Sequence, residues 1–128
     1  MLNSTGTKTE IFSNRTQILA DVGNQSSIGC VVDAAVGIIV GSSKIAKAGT
    51  PVRIDLMSPG KQATLATADV AMTGVLLHDV DVTNGNNNGT ALLFGFVNIN
   101  RIEADVQTLV AAAVGNANAS KLITFLKV

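Results

Sequence analysis

Between Ala48 and Ile102 the chain is a succession of short strand-like runs, each closed by a turn signal and built almost without charge. This is the feature that most restricts the fold. Pro51-Val-Arg-Ile-Asp-Leu-Met57 alternates Val52, Ile54 and Leu56 against Arg53 and Asp55. The turn Ser58-Pro59-Gly60 follows, and then a second run from Lys61 to Thr67. Period-two alternation, a Pro-Gly turn and a return run together predict a β-hairpin. Met72 to Thr83 continues in the same manner, with Val75, Leu77, Asp79 and Asp81 on one side of the pleat and Leu76, His78, Val80 and Val82 on the other. Thr83-Asn-Gly-Asn-Asn-Asn-Gly-Thr90 holds two Asn-Gly pairs, which tolerate positive φ and mark a turn. Ala91 to Ile99 leaves it as the most apolar strand.

The flanks complete a mainly β reading of the α+β kind: a small β-barrel or β-sandwich-like domain with one helix in its C-terminal half and an extended N-terminal arm. Cys30 to Val40 is apolar and β-branched, interrupted only by Asp33 and Gly37, and reads as one buried strand. Gly41 to Gly49 reads as a turn in which Lys44 and Lys47 are solvated. In Asn100 to Asn116, Asn100 is placed to cap a helix, Glu103 to complete its capping box and Gly115 to end it. Ile102, Val106, Leu109, Val110 and Ala113 form its apolar stripe, which places Gln107 on the opposite face. Lys121 to Val128 is a last strand with a lysine near each end, a common protection for an edge. Residues 1–29 have too few apolar side chains for a core of their own, so they read as a flexible arm before a single domain, 30–128, with one core. Within the arm Ile11, Phe12, Ile18 and Leu19 are the candidate contacts with a partner, by adding a strand to a sheet edge.

Charge and chemistry narrow the function. Only 14% of the 128 residues are charged, against about 25% in a typical soluble domain. An exterior so short of charge is suited to facing other protein. Nine basic and nine acidic residues cancel, and no basic run tracks a phosphate backbone, so nucleic acid is not an expected partner. The N-terminus lacks the plan of a signal peptide and no apolar run reaches the ~20 residues of a membrane span, so a chain made and kept in the cytoplasm is expected, with no membrane partner. One cysteine, Cys30, and one histidine, His78, make neither a disulfide nor a Cys-based metal site, and Cys30 in an apolar run is a poor nucleophile. Asp79 to Thr90 touches the calcium-loop pattern but has Asn84 where glycine is needed and Thr90 where the bidentate glutamate belongs. Neither an enzyme nor a protein with a metal, cofactor or small-molecule substrate is expected.

Three segments, Lys47-Ala-Gly-Thr-Pro-Val-Arg-Ile-Asp55, Thr73-Gly-Val-Leu-Leu77 and Thr90-Ala-Leu-Leu-Phe-Gly-Phe96, occur in an order that resembles the lambda gpD-like head decoration proteins of tailed phages. The chain departs from that pattern in Val31–Val40 and Val106–Val128. The resemblance implies a mostly β subunit that forms a homotrimer and binds the major capsid protein on the outer surface of the virion, after assembly in the host cytoplasm. There it would stabilise the shell against DNA pressure. Two other readings stand beside it: another small virion component, such as a head-fibre base, head-completion or tail-tube protein, and a small-molecule-binding β-barrel.

Overall fold

A computed structural model describes residues 18–20 and 25–127. Nine strands and one α-helix follow one another: β1 (Ser26–Val32), β2 (Ile38–Val40), β3 (Ser43–Ala46), β4 (Pro51–Ile54), β5 (Gln62–Leu65), β6 (Gly74–Leu76), β7 (Val80–Asp81), β8 (Asn87–Asn98), α1 (Ala104–Val114) and β9 (Ile123–Leu126). The domain is mainly β with one helix, as the strand patterns predict. Its larger sheet runs β1-β5-β4-β6-β8-β9, and β8 pairs back onto β1, so five strands close a ring. Four junctions are antiparallel; the closing one, β1 with β5, is parallel and short, pairing Val31 with Gln62 and Val32 with Ala63. A small ribbon, β2-β3-β7, forms the second sheet.

The apolar residues divide between two clusters rather than the single expected core. Cys30, Val32, Val52, Ile54, Ala63, Leu76 and Ala91 point inward from the ring strands, joined by Ala46, Val80 and Val82 from the ribbon. A second cluster lies between the ring and α1, where Val106, Val110 and Ala113 meet Val75, Leu77, Leu92, Val97 and Ile123. Strand β6 serves both. Because successive side chains leave a strand on opposite faces, Val75 enters the helix-side layer and Leu76 the ring interior, and both are fully buried. That is why this strand is apolar without alternation, and why Gly74 is placed where it is. A Cβ there would run into the backbone oxygen of Leu92 on β8.

Strand β8 changes phase along its length. Its register against β1 moves from Ser27↔Leu92 to Ser26↔Phe94, so one extra residue bulges on the β8 side. Leu92 before the bulge and Val97 after it consequently point into the same helix-side layer, while Phe94 is turned out to solvent. Beyond the bulge β8 is flanked by β9, in parallel (Gly95↔Ile123, Val97↔Phe125), and by Leu19, which bridges Val97 antiparallel.

Several local expectations are corrected. The run Cys30–Val40 is not one strand. Asp33 accepts from the Ala35 N–H and starts a 3-10 turn, Ala34–Val36, that separates β1 from β2. The segment Gly41–Gly49 is a turn only at its two ends, Gly41-Ser42 and Ala48-Gly49, since Ser43–Ala46 is β3 and pairs with both β2 and β7. The helix starts later than the capping pattern places it. Asn98, not Asn100, provides the local cap, by accepting from the Asn100 N–H at the start of a 3-10 turn, Ile99–Arg101. Glu103 occupies the helix N-cap position without capping through its side chain. Of the predicted stripe, Ile102, Val106, Val110 and Ala113 are buried and Leu109 is only half-buried.

Gln107 is likewise half-buried rather than on a bare outer face. Its Nε2 donates to the carbonyls of Ile99 and Ile102 at 2.9 and 2.7 Å, tying α1 to the turn before it. Removing the amide leaves two carbonyls without that donor, at roughly 0.5–1.5 kcal/mol per bond. Gln107→Ala is therefore expected to lower stability by about 1–3 kcal/mol, while Thr108→Ala, at an exposed neighbour, stays within about 0.5 kcal/mol. Urea unfolding of the two variants checks this, and equal midpoints would refute it.

Candidate functional site

The residues read from sequence as arm contacts fall into two groups. Ile11 and Phe12 lie outside the described residues. Ile18 and Leu19 are in the core, 0% and 3% exposed, and pack in the helix-side cluster. Their backbone is fixed as well: Asn98 N–H donates to Ile18 O at 2.7 Å and Ala20 N–H to Phe96 O at 2.8 Å. This corrects their assignment to a partner-binding surface, because alongside β8 both side chains fill the layer under α1. The arm boundary at residue 29 is corrected too, since Ser26–Gly29 belong to β1 and pair along β8.

The polar groups that resembled ligand or catalytic sites are occupied in building the fold. Asp79 accepts from the Ala48 N–H at 2.7 Å, and Thr50 Oγ1 donates to Lys47 O at 2.6 Å. Together they shape the turn before β4. At its apex Gly49 has φ +91 and its Cα lies against Ile102, so any side chain there would meet both backbone strain and a steric clash. Asp81 is exposed, and its bonds from Thr83 hold its carboxyl below the usual carboxylate range. Burial pushes the Cys30 thiol up, away from the reactive thiolate. Among the described residues no three His, Cys, Asp or Glu side chains converge as a metal site would need.

Lys47 is not a solvated turn residue. Its Nζ lies 2.7 Å from Glu103 Oε1 and 3.4 Å from Asp105 Oδ2, so one ammonium clasps both carboxylates at the start of α1. The bond to Glu103 raises the Lys47 pKa above its ordinary 10.5 despite the opposing effect of desolvation. Because the folded value is the higher one, this contribution is complete below about 10.5 and is lost only as pH rises beyond it. Both carboxylates are more than half exposed, which keeps the gain small. The pairing crosses 56 residues of sequence, and no local pattern announces it.

The outer surface carries apolar side chains at projecting positions. Met57, in the turn between β4 and β5, is 92% exposed, and Leu56 beside it is also exposed. Ile39, on the outer strand of the ribbon, is 73% exposed and is followed by exposed Val40. A third apolar area is concave. α1 and β9 do not close on each other over their whole length, and leave a groove of about 430 Å³ lined by Met72, Ile99, Val110, Val114, Ile123 and Phe125 among others. Val114 and the neighbouring Leu122 are half or more exposed. No protein-family model matches the chain, and a search of curated proteins finds no relative.

Proposed function

We propose that this chain is a structural virion protein that decorates the outside of a phage head, binding the major capsid protein as a homotrimer and reinforcing the shell. The observation that carries the reading is the pairing of a charge-poor chain with uncovered apolar side chains at two projecting places, Ile39-Val40 on the ribbon and Leu56-Met57 at the hairpin turn. Such side chains gain by burial against protein, at about 25 cal/mol per Å² removed from water. An obligate interface of ~2,000 Å² or more needs surface of this kind rather than reactive groups. The order of the strand segments supports the same reading through its resemblance to the decoration proteins. The ring interior, filled by buried side chains from Val32 to Ala91, favours it over a barrel that encloses a small molecule.

The test combines light scattering with co-sedimentation on expanded phage capsids. The wild-type chain is expected to scatter as a trimer and to pellet with capsids. An Ile39→Asp, Met57→Asp double variant should keep its melting temperature, since both side chains are exposed, and lose association in at least one assay. A monomer at micromolar concentration that also fails to pellet would overturn the proposal.

A further inference from the structure

We propose that the groove between α1 and β9 is the docking site of the chain's own N-terminal segment, with Phe12, supported by Ile11, seated in the groove of the same copy. The first support is where the described chain begins. Phe96 and Asn98 turn their backbone groups toward residues 18–20, whereas Gly95 donates to Leu122 beside β9, so the two segments flank β8 on opposite sides. Leu19 runs antiparallel to β8 at Val97, and Asn98 N–H bonds Ile18 O. From Leu19 to Ile18 the backbone is directed along β8 past Asn98, on the side of Ile99, which lines the groove. Phe125, another lining residue, pairs with the same Val97 from the other side.

Reach is the second support. From the Leu19 line across β8 to β9 is two strand spacings, about 10 Å. The six residues from Ile18 back to Phe12 extend as far as about 20 Å. A tether this short holds the segment at an effective concentration in the millimolar range, far above that of a second copy at micromolar protein, and this favours closure within one chain.

The chemistry of the two sides also agrees. Residues 1–17 contain four large apolar side chains, Met1, Leu2, Ile11 and Phe12, and only the second pair is close to the anchor. Loop-closure entropy favours the shorter connection. A phenylalanine side chain brings 150–250 Å² of surface to bury, suited to an apolar concavity of about 430 Å³. Lys121 is the one charged residue in the lining, and Glu10 is the carboxylate adjoining Ile11.

The chain has no Trp and no Tyr, so Phe12→Trp in the full-length protein is a clean reporter. The expected result is an emission maximum in buffer clearly to the blue of the same variant in denaturant, with protection from acrylamide quenching. Adding Val114→Asp at the half-exposed rim should abolish both while leaving far-UV circular dichroism unchanged. Independently, Phe12→Cys with Val114→Cys, Cys30 remaining in its buried place, should oxidise to an internally linked monomer. A linked dimer alone would overturn closure within one copy. A water-like Trp emission together with no cross-link would overturn the site. The isolated protein is sufficient for every arm, so the outcome stands apart from capsid binding.

Discussion

Deleting residues 1–29 is expected to cost at least about 3–6 kcal/mol, whereas deleting residues 1–17 costs at most about 1 kcal/mol. The longer deletion removes Ile18 and Leu19, both essentially inaccessible to solvent. Each fully buried side chain of this size contributes about 1.5–3 kcal/mol. It also removes Ser26–Gly29 and with them half of the β1 pairing to β8 that closes the ring, exposing backbone groups of β8 along Thr90–Phe94. Against a total stability of about 5–15 kcal/mol, that loss leaves a domain close to unfolding. The shorter deletion touches none of the described core, and whatever Phe12 gains by docking is largely offset by the entropy of ordering its segment. Chemical denaturation of the two truncated proteins beside the full chain decides the matter. Equal stability for the 1–29 deletion and the full chain would mean that Ile18 and Leu19 are not core residues.

Leu76→Ala is expected to destabilise by about 2–5 kcal/mol, and Leu109→Ala by about 1 kcal/mol. Leu76 is among the largest fully buried side chains, and it fills the ring interior against Val52, Ile54 and Ala91 in one cluster. The ring cannot collapse around a missing side chain without breaking strand pairing, so the cavity persists and its cost adds to the lost burial. Leu109 is half-buried and belongs to neither cluster. Helical periodicity places it at the centre of the apolar stripe, yet the helix lies with Val106, Val110 and Ala113 against the sheet. Equal losses from the two substitutions would contradict the assignment of Leu109 to the helix rim.

How much was legible in the sequence depends on how local the cause is. The hairpin from Pro51 to Leu65, the turn before β8, the helix near Ala104–Val114 and the closing strand at Ile123–Leu126 are all readable, because alternation, Asn-Gly and Pro-Gly pairs and 3.6-residue spacing act within a few residues. Among the candidate site residues, Ile102, Val106 and Val110 are buried as their spacing predicts. The groove lined by Val110, Val114 and Phe125 had no local signal, since it exists only where α1 and β9 diverge.

By itself, then, the sequence determined a mainly β domain with one helix, poor in charge. Tertiary structure decided what depends on partners distant along the chain. The return of β8 onto β1 closed a ring and split the apolar residues into an interior and a helix-side layer. A one-residue bulge on β8 reset which of its side chains face α1. Ile18 and Leu19 passed from arm to core because a strand position beside Val97 was open to them. The physical reason is the same in each case: a backbone hydrogen bond or a buried methyl group can be supplied from anywhere in the chain. A local pattern records which residues prefer burial, and only the closed fold settles what they are buried against.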